Sequence, residues 1–236
     1  MPPHPNLKEW TVPVPNRCTA RQVAEDEVRK RMHTGDEHFV VYEPPGTTVY
    51  VATSKSSVGC AFGGGATEAA MRKFSGTFEC GHNHPSSSPF SASDYPTPVE
   101  YPNLSEMWVL GHDNVSQFSL QPTVRDDLYG VAAGAWEFAL ALVTKKQIFD
   151  PNTGDLTREQ DFARRHGICL GLHAAQVANY HYTMPQQHIY SNEFALVCRR
   201  VKVYVQGYCK VATAQRARGA NVDYVLIDTC LHSLLL

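Results

Sequence analysis

The stretch Gly81-His82-Asn83-His84-Pro85-Ser86-Ser87-Ser88-Pro89-Phe90-Ser91-Ala92-Ser93-Asp94 decides how this chain is read. Two histidines separated by one residue, followed ten residues after the second by a carboxylate, make the ligand set of a zinc ion with one open position. Hydrolysis is therefore the first chemistry to consider. The preceding residues, Ser75 to Gly81, read as a strand with Phe78 and Cys80 on its apolar face. If that strand runs on to His84, then His82 and His84 share a face, because side chains alternate with period two. Pro85 removes a backbone donor and ends the ladder, and the Ser/Pro run to Pro89 is a loop that can swing Asp94 back over the pair. The plain alternative is a pair of loop histidines beside a turn, since most histidines bind nothing. The added carboxylate and the hydroxyl of Ser91 favour an open catalytic site.

Upstream, residues 1–17 are rich in proline and read as an extended arm pinned by Trp10. Thr19-Ala20-Arg21-Gln22 carries the hydroxyl and glutamine of a helix start, and Ala20, Val23, Ala24, Val28 and Met32 fall on one stripe up to Gly35, which is placed to stop the helix. Glu37 to Tyr42 and Thr47 to Thr53, joined through Pro44-Pro45-Gly46, read as a hairpin. Gly63-Gly64-Gly65 fits neither a phosphate loop nor a dinucleotide fingerprint, and Thr67 to Phe74 reads as a short helix. Downstream, prolines at 96, 98 and 102 forbid a long helix, although Ser91 and Asp94 can form one capped turn. Glu106 to Leu110 and Ser116 to Leu120 read as a second hairpin, with His112 in its turn or close behind the site.

The second half differs in character. Val124 to Phe149 and Thr157 to Tyr182 read as helices, the latter capped by Thr157-x-x-Gln160, with a loop over Asp150 to Asp155. Val197 to Val211, with Val201, Val203 and Val205 alternating, reads as a strand. His166, His173 and His181 are two helical turns apart, about 10 Å, too far to share one ion. They are expected at the surface or as caps, with Tyr180 and Tyr182 beside them forming an interaction surface.

Composition sets the bounds. The chain has 236 residues, 43% of them hydrophobic, enough for one large or two small domains. A net charge of -2 without a concentrated basic face gives no electrostatic case for nucleic acid. Seven cysteines, with no Cys-x-x-Cys pair, argue against a disulfide framework and a cysteine zinc ribbon. The amino terminus lacks a basic start and an apolar run, and no apolar segment reaches the length of a bilayer span. The expectation is a soluble protein of a reducing, cytoplasmic compartment, or an effector delivered without a signal peptide, with no membrane partner.

His82-x-His84-Pro85 followed by Ser91-x-x-Asp94 resembles the signature of the JAMM metalloproteases (also called MPN+ or JAB1/Mov34), and the His-Asn-His-Pro-Ser wording is similar to the RadC-like branch. The loop from His84 to Ser91 is one residue shorter than the family's usual pattern. The resemblance implies an α/β fold of the cytidine-deaminase-like class, a JAMM core with a mixed sheet and flanking helices. It covers residues 19–121, between an arm over 1–18 and a mainly helical extension over 122–236 that it does not reach. It implies Zn2+ held by His82, His84 and Asp94 with a water in the fourth position, and a glutamate base at the start of the strand after the first helix. Glu37 occupies that place, ahead of Glu25 and Glu27 within the helix, Glu43 before two prolines, and Glu79, which alternates away from Phe78 and Cys80. Ser91 is then the donor to the developing oxyanion, or a helix cap, or both. The implied activity is zinc-dependent hydrolysis of a peptide or isopeptide bond in a protein substrate, including removal of ubiquitin or a ubiquitin-like modifier. Two alternatives belong to other classes: a RadC-like or toxin-associated domain with a substrate other than ubiquitin, and a non-catalytic MPN-type scaffold.

Overall fold

The computed structural model of the chain describes residues 2–56, 59–60, 62–125, 128–145, 158–185 and 192–235. Its class is α/β, with a mixed seven-stranded sheet and a largely helical carboxy-terminal half. Two compact units divide the chain: residues 1–88, 100–121 and 181–185 form the first, and 89–99, 122–180 and 186–236 the second.

The proline-rich start supplies an edge strand, β1 (Lys8–Pro13). Helix α1 (Ala20–Arg31) begins where its cap residues dictate. The Thr19 hydroxyl accepts from Gln22 N–H at 3.1 Å, and the Gln22 carboxamide accepts from Thr19 N–H at 2.9 Å, so two orphan donors are satisfied reciprocally. A 3₁₀ turn over Met32–Thr34 runs into Gly35, whose φ of +74° is open to glycine without strain. Strands β2 (Phe39–Tyr42) and β3 (Thr48–Thr53) form the expected antiparallel hairpin, and β1 pairs with the outer edge of β3. Helix α2 (Ala66–Lys73) starts on the Glu9 carboxylate, which accepts from Ala66 N–H at 2.8 Å and Thr67 N–H at 2.7 Å.

Strand β4 (Phe78–His84) lies between β2, antiparallel to it, and β5 (Leu104–Gly111), parallel to it. A single turn, α3 (Thr97–Glu100), precedes β5, and β6 (Gln117–Pro122) closes the second hairpin. The sheet order is β1-β3-β2-β4-β5-β6-β7, with β7 formed by Ala178–Thr183.

One face of this sheet packs on α1. Ala20, Ala24 and Val28 are buried against Val40, Tyr42, Val49, Val51, Trp108 and Leu110; each large apolar side chain so buried contributes about 1.5–3 kcal/mol. The odd-numbered residues of β4 point to this face. Glu79 accepts from Tyr42 O–H at 2.6 Å, and Tyr42 Oη accepts from Trp108 Nε1–H at 3.1 Å. Arg21 lies 4.5 Å over the Trp108 ring and pairs with Glu25, Glu79 and Glu106. Gly81 leaves room for that indole, since a Cβ there would fall 2.0 Å from Trp108 Cε2. Trp10 is held to the same layer by its Nε1–H, which donates to Glu27 at 3.3 Å.

In the second unit, α4 (Leu128–Lys145), α5 (Arg158–Ala174), α6 (Asn192–Ala217) and α7 (Tyr224–Leu235) pack together. The helix expected to continue to Tyr182 stops at Ala174. Gln176 adopts a left-handed φ of +59°, its N–H donates to His173 C=O at 3.0 Å, and Val177 N–H donates to Leu172 C=O at 3.0 Å. This is a Schellman ending on glutamine, after which the alternating residues of β7 run extended. The strand expected over Val197 to Val211 is the middle of α6. Phe194, Val197, Cys198, Val201, Tyr204, Val205, Tyr208 and Cys209 are all buried, a three-and-four spacing that outweighs the local valine alternation and leaves Val203 exposed. The expected loop over Asp150 to Asp155 and the capping Thr157 lie outside the described residues. His166 is buried, with its Nδ1 3.0 Å from Tyr180 Oη, so neither side chain is at the surface as expected; Tyr182 is exposed. No helix among the described residues is long and apolar enough to cross a membrane.

Two outcomes follow from this packing. Gly81→Ala forces a methyl group into the Trp108 ring and is expected to destabilise the fold by about 1–3 kcal/mol or more, read as a lowered thermal midpoint in calorimetry. Burial lowers the His166 pKa from 6.5 to about 4. The unfolded chain therefore binds the extra proton, and the His166 contribution is complete above pH 6.5 and lost as pH falls towards 4. Denaturation free energies measured between pH 7 and pH 4 should decline, and His166→Gln should flatten that decline, leaving the share carried by His38 and His112, which burial also lowers.

Candidate metal centre

The even-numbered residues of β4 turn to the face opposite α1. Phe78 and Cys80 continue into His82 and His84, all buried, as the period-two reading requires. Phe39, paired directly across from His82 on β2, stacks on Phe62 at 4.2 Å between ring centroids and walls the imidazole on that side. The two Nε2 atoms face one another at 3.0 Å. Glu37, two residues ahead of β2, is buried and sets Oε1 3.8 Å from His82 Nε2. Ligand atoms of Glu37, His82 and His84 all lie within 4.8 Å of one another. This is the group among the described residues whose donors could hold a metal ion.

The loop after His84 completes the arrangement. His84 Nδ1 donates to Ser88 C=O at 2.8 Å, because the carbonyl can only accept; in the neutral ring this puts the lone pair on Nε2, the atom that faces His82. A carbonyl taking the far N–H is the usual partner of a metal-binding imidazole. The loop itself is anchored at several points. Ser87 N–H donates to His84 C=O at 2.9 Å, Ser87 Oγ accepts from Asp113 N–H at 3.0 Å, and Ser86 and Ser88 share a hydrogen bond of 2.6 Å. Gly111, paired with His84 across β5, permits this approach, since a Cβ there would come within 2.8 Å of Ser87 and Ser116.

The donors fit a metal. Two imidazole nitrogens bound to one tetrahedral zinc at about 2.0–2.1 Å stand about 3.3 Å apart, within a few tenths of an ångström of the spacing between His82 and His84. Two imidazoles and one carboxylate, all buried, are a donor set that could hold a metal ion.

No family model, curated protein or solved structure matches the chain significantly.

Of the residues singled out in the sequence, Glu37, His82 and His84 come together. Asp94 is not in their group. It lies in the second unit, where its Oδ2 accepts from Ser91 N–H at 2.6 Å and Ser91 O–H at 2.8 Å, and Asp94 N–H donates to Ser91 C=O at 3.1 Å. This is the capped turn anticipated for Ser91. The neighbouring Tyr95 is buried, with its hydroxyl 3.3 Å from Cys169 Sγ on α5.

Two neighbours of the site were not singled out. Cys60 is partly buried beside Glu37, and burial followed by the Glu37 carboxylate pushes its thiol up to about 12. Asn83, between the two histidines, has its side chain on the opposite face and bonds to the segment that carries Glu37. The only sequence signal for either is position, a thiol in the segment between β3 and the triple glycine and an amide at the odd place in a His-x-His strand. Native-state alkylation at pH 8 should therefore modify the exposed Cys18 and Cys230 well before Cys60, and Glu37→Gln should speed labelling at Cys60 by removing one cause of its raised pKa. Peptide mapping after timed iodoacetamide treatment checks both outcomes.

Proposed function

We propose that the chain is a zinc-dependent hydrolase of the JAMM type, cleaving a peptide or isopeptide bond in a protein substrate. The observation that carries this reading is the buried Glu37, His82 and His84 group, with His84 Nδ1–H committed to Ser88 C=O and the two Nε2 atoms turned inward. The mixed sheet, with a helix and hairpin ahead of the histidine strand and a further hairpin after it, supports the same reading.

In this reading His82 Nε2 and His84 Nε2 hold the ion. A bound zinc would lower the pKa of a water and polarise the scissile carbonyl. The Glu37 carboxylate, 3.8 Å from His82 Nε2, is within reach of a group held beside the histidines. It takes the proton of the attacking water on a carboxylate oxygen and returns it to the leaving nitrogen. Burial of Glu37 and of both imidazoles keeps bulk water from competing for those hydrogen bonds. The Phe39 and Phe62 rings supply an apolar wall to the site. The roles of Asp94 as a third ligand and Ser91 as oxyanion donor remain part of the family resemblance and are not needed for this assignment.

Metal analysis and cleavage assays test the proposal together. Purified protein is expected to carry one zinc per chain, lost in His82→Ala and His84→Ala. Glu37→Gln should lower cleavage of a panel of peptides and isopeptide-linked ubiquitin chains by about 10²–10⁴-fold. Wild-type protein without stoichiometric zinc removes the metal reading; unchanged cleavage in the Glu37→Gln variant removes the enzyme, and zinc with no cleavage across the panel leaves a scaffold.

A further inference from the structure

Glu37 is useful only if its carboxylate stays beside the histidines, yet it lies outside the regular ladder, which ends at the Phe39 to His82 pair. Its own main-chain polar groups are nevertheless held. Glu37 N–H donates to Ser56 C=O at 2.7 Å, and Glu37 C=O accepts from the Thr53 hydroxyl at 2.9 Å. The groups on either side go to one side chain. Asn83 Oδ1 accepts from His38 N–H at 2.8 Å, and Asn83 Nδ2 donates to Asp36 C=O at 2.9 Å. The amide orientation is fixed by these partners, because an N–H can only donate and a carbonyl only accept. Nδ2 has a second hydrogen, and His112 Nε2 lies 2.6 Å from it, in position to accept. Asn83 is fully buried.

A primary carboxamide is a peptide group on a short arm, with one acceptor and donors on the same plane. Asn83 thus continues the pairing of β2 with β4 by one step after the backbones part, and does so from the strand that carries both histidines. Period two sends its side chain to the face opposite them, so it can grip the chain on each side of Glu37 without standing among the metal donors. Aspartate would keep the bond to His38 N–H but set an oxygen against Asp36 C=O. Alanine would leave both main-chain groups without a partner.

We propose that Asn83 is the positioning residue of this site: it fixes the Glu37 carboxylate relative to His82 and His84 by clamping Asp36 and His38. The inference rests on the metal reading above. It makes Asn83 part of the site's function although it touches neither metal nor substrate.

The test is a double-mutant cycle on the full chain loaded with Co2+, read by chelator competition and by the visible spectrum, which reports the donors around the ion. With no substrate bound, the Glu37 carboxylate is among the three donors that could hold the ion, so Asn83→Asp and Asn83→Ala are expected to weaken Co2+ binding by about 10–100-fold, the usual loss when a group that orients a ligand is removed, and to change the spectrum as Glu37→Gln does. In the Glu37→Gln background, Asn83→Asp should add no further change, since the residue it positions is already altered. Unchanged affinity and spectrum in Asn83→Asp, or losses that multiply in the double variant, would overturn the proposal. So would failure of both Asn83 variants to fold by circular dichroism, which would assign Asn83 to the fold alone. Wild-type protein that binds no Co2+ or Zn2+ is a separate result, and it removes the metal reading instead.

Discussion

Strand β4 is hydrogen-bonded along both edges and buried on both faces, and its alternation commits successive residues to different tasks. Odd positions carry the structural layer: Glu79 in the Arg21 network, Gly81 under Trp108, Asn83 clamping the segment before β2. Even positions carry the layer of the candidate metal centre, from Phe78 and Cys80 to His82 and His84. A one-residue slip in register would exchange the layers and bury the imidazoles against α1. The parallel pairing with β5 guards against this, because Gly111 must stand beside His84 and Trp108 beside Gly81 for either contact to be made.

Polar groups in a buried site demand partners, and the protein supplies them mainly from its backbone. His84 is oriented by the carbonyl of Ser88, and the main chain at Glu37 by Ser56 and by the Thr53 hydroxyl. Backbone partners come with the fold and do not depend on distant side-chain rotamers. Where a side chain is used, as at Asn83, it is short and has few angles to fix.

Much of this was legible in the sequence because the signals are local. The Thr19 and Gln22 box, Gly35, both hairpins and the proline after His84 each act within a few residues, and each holds in the structure. Glu37 could be singled out because the resemblance to the JAMM signature implies a glutamate at the start of the strand after the first helix, and Glu37 follows a helix end and precedes a β-rich run. The errors came where a local pattern met a tertiary one. Val201, Val203 and Val205 alternate, but the burial of Val197, Val201, Tyr204 and Tyr208 runs at helical spacing over a longer window. Gln176 ends α5 in a conformation usually taken by glycine, so no residue type announced it. The grip of Asn83 on Asp36 and His38 spans 45 residues and more, and it becomes visible only once β2 is known to lie beside β4.

The edge strand β1 has one further consequence. Its outer side is where another chain could add a strand, and such edges seed fibrous association. Lys8 places an exposed charge at one end of β1, and Pro13 at the other has no N–H to offer an incoming ladder. The edge of the sheet that also braces α2 through Glu9 is thereby made a poor template for amyloid-like growth.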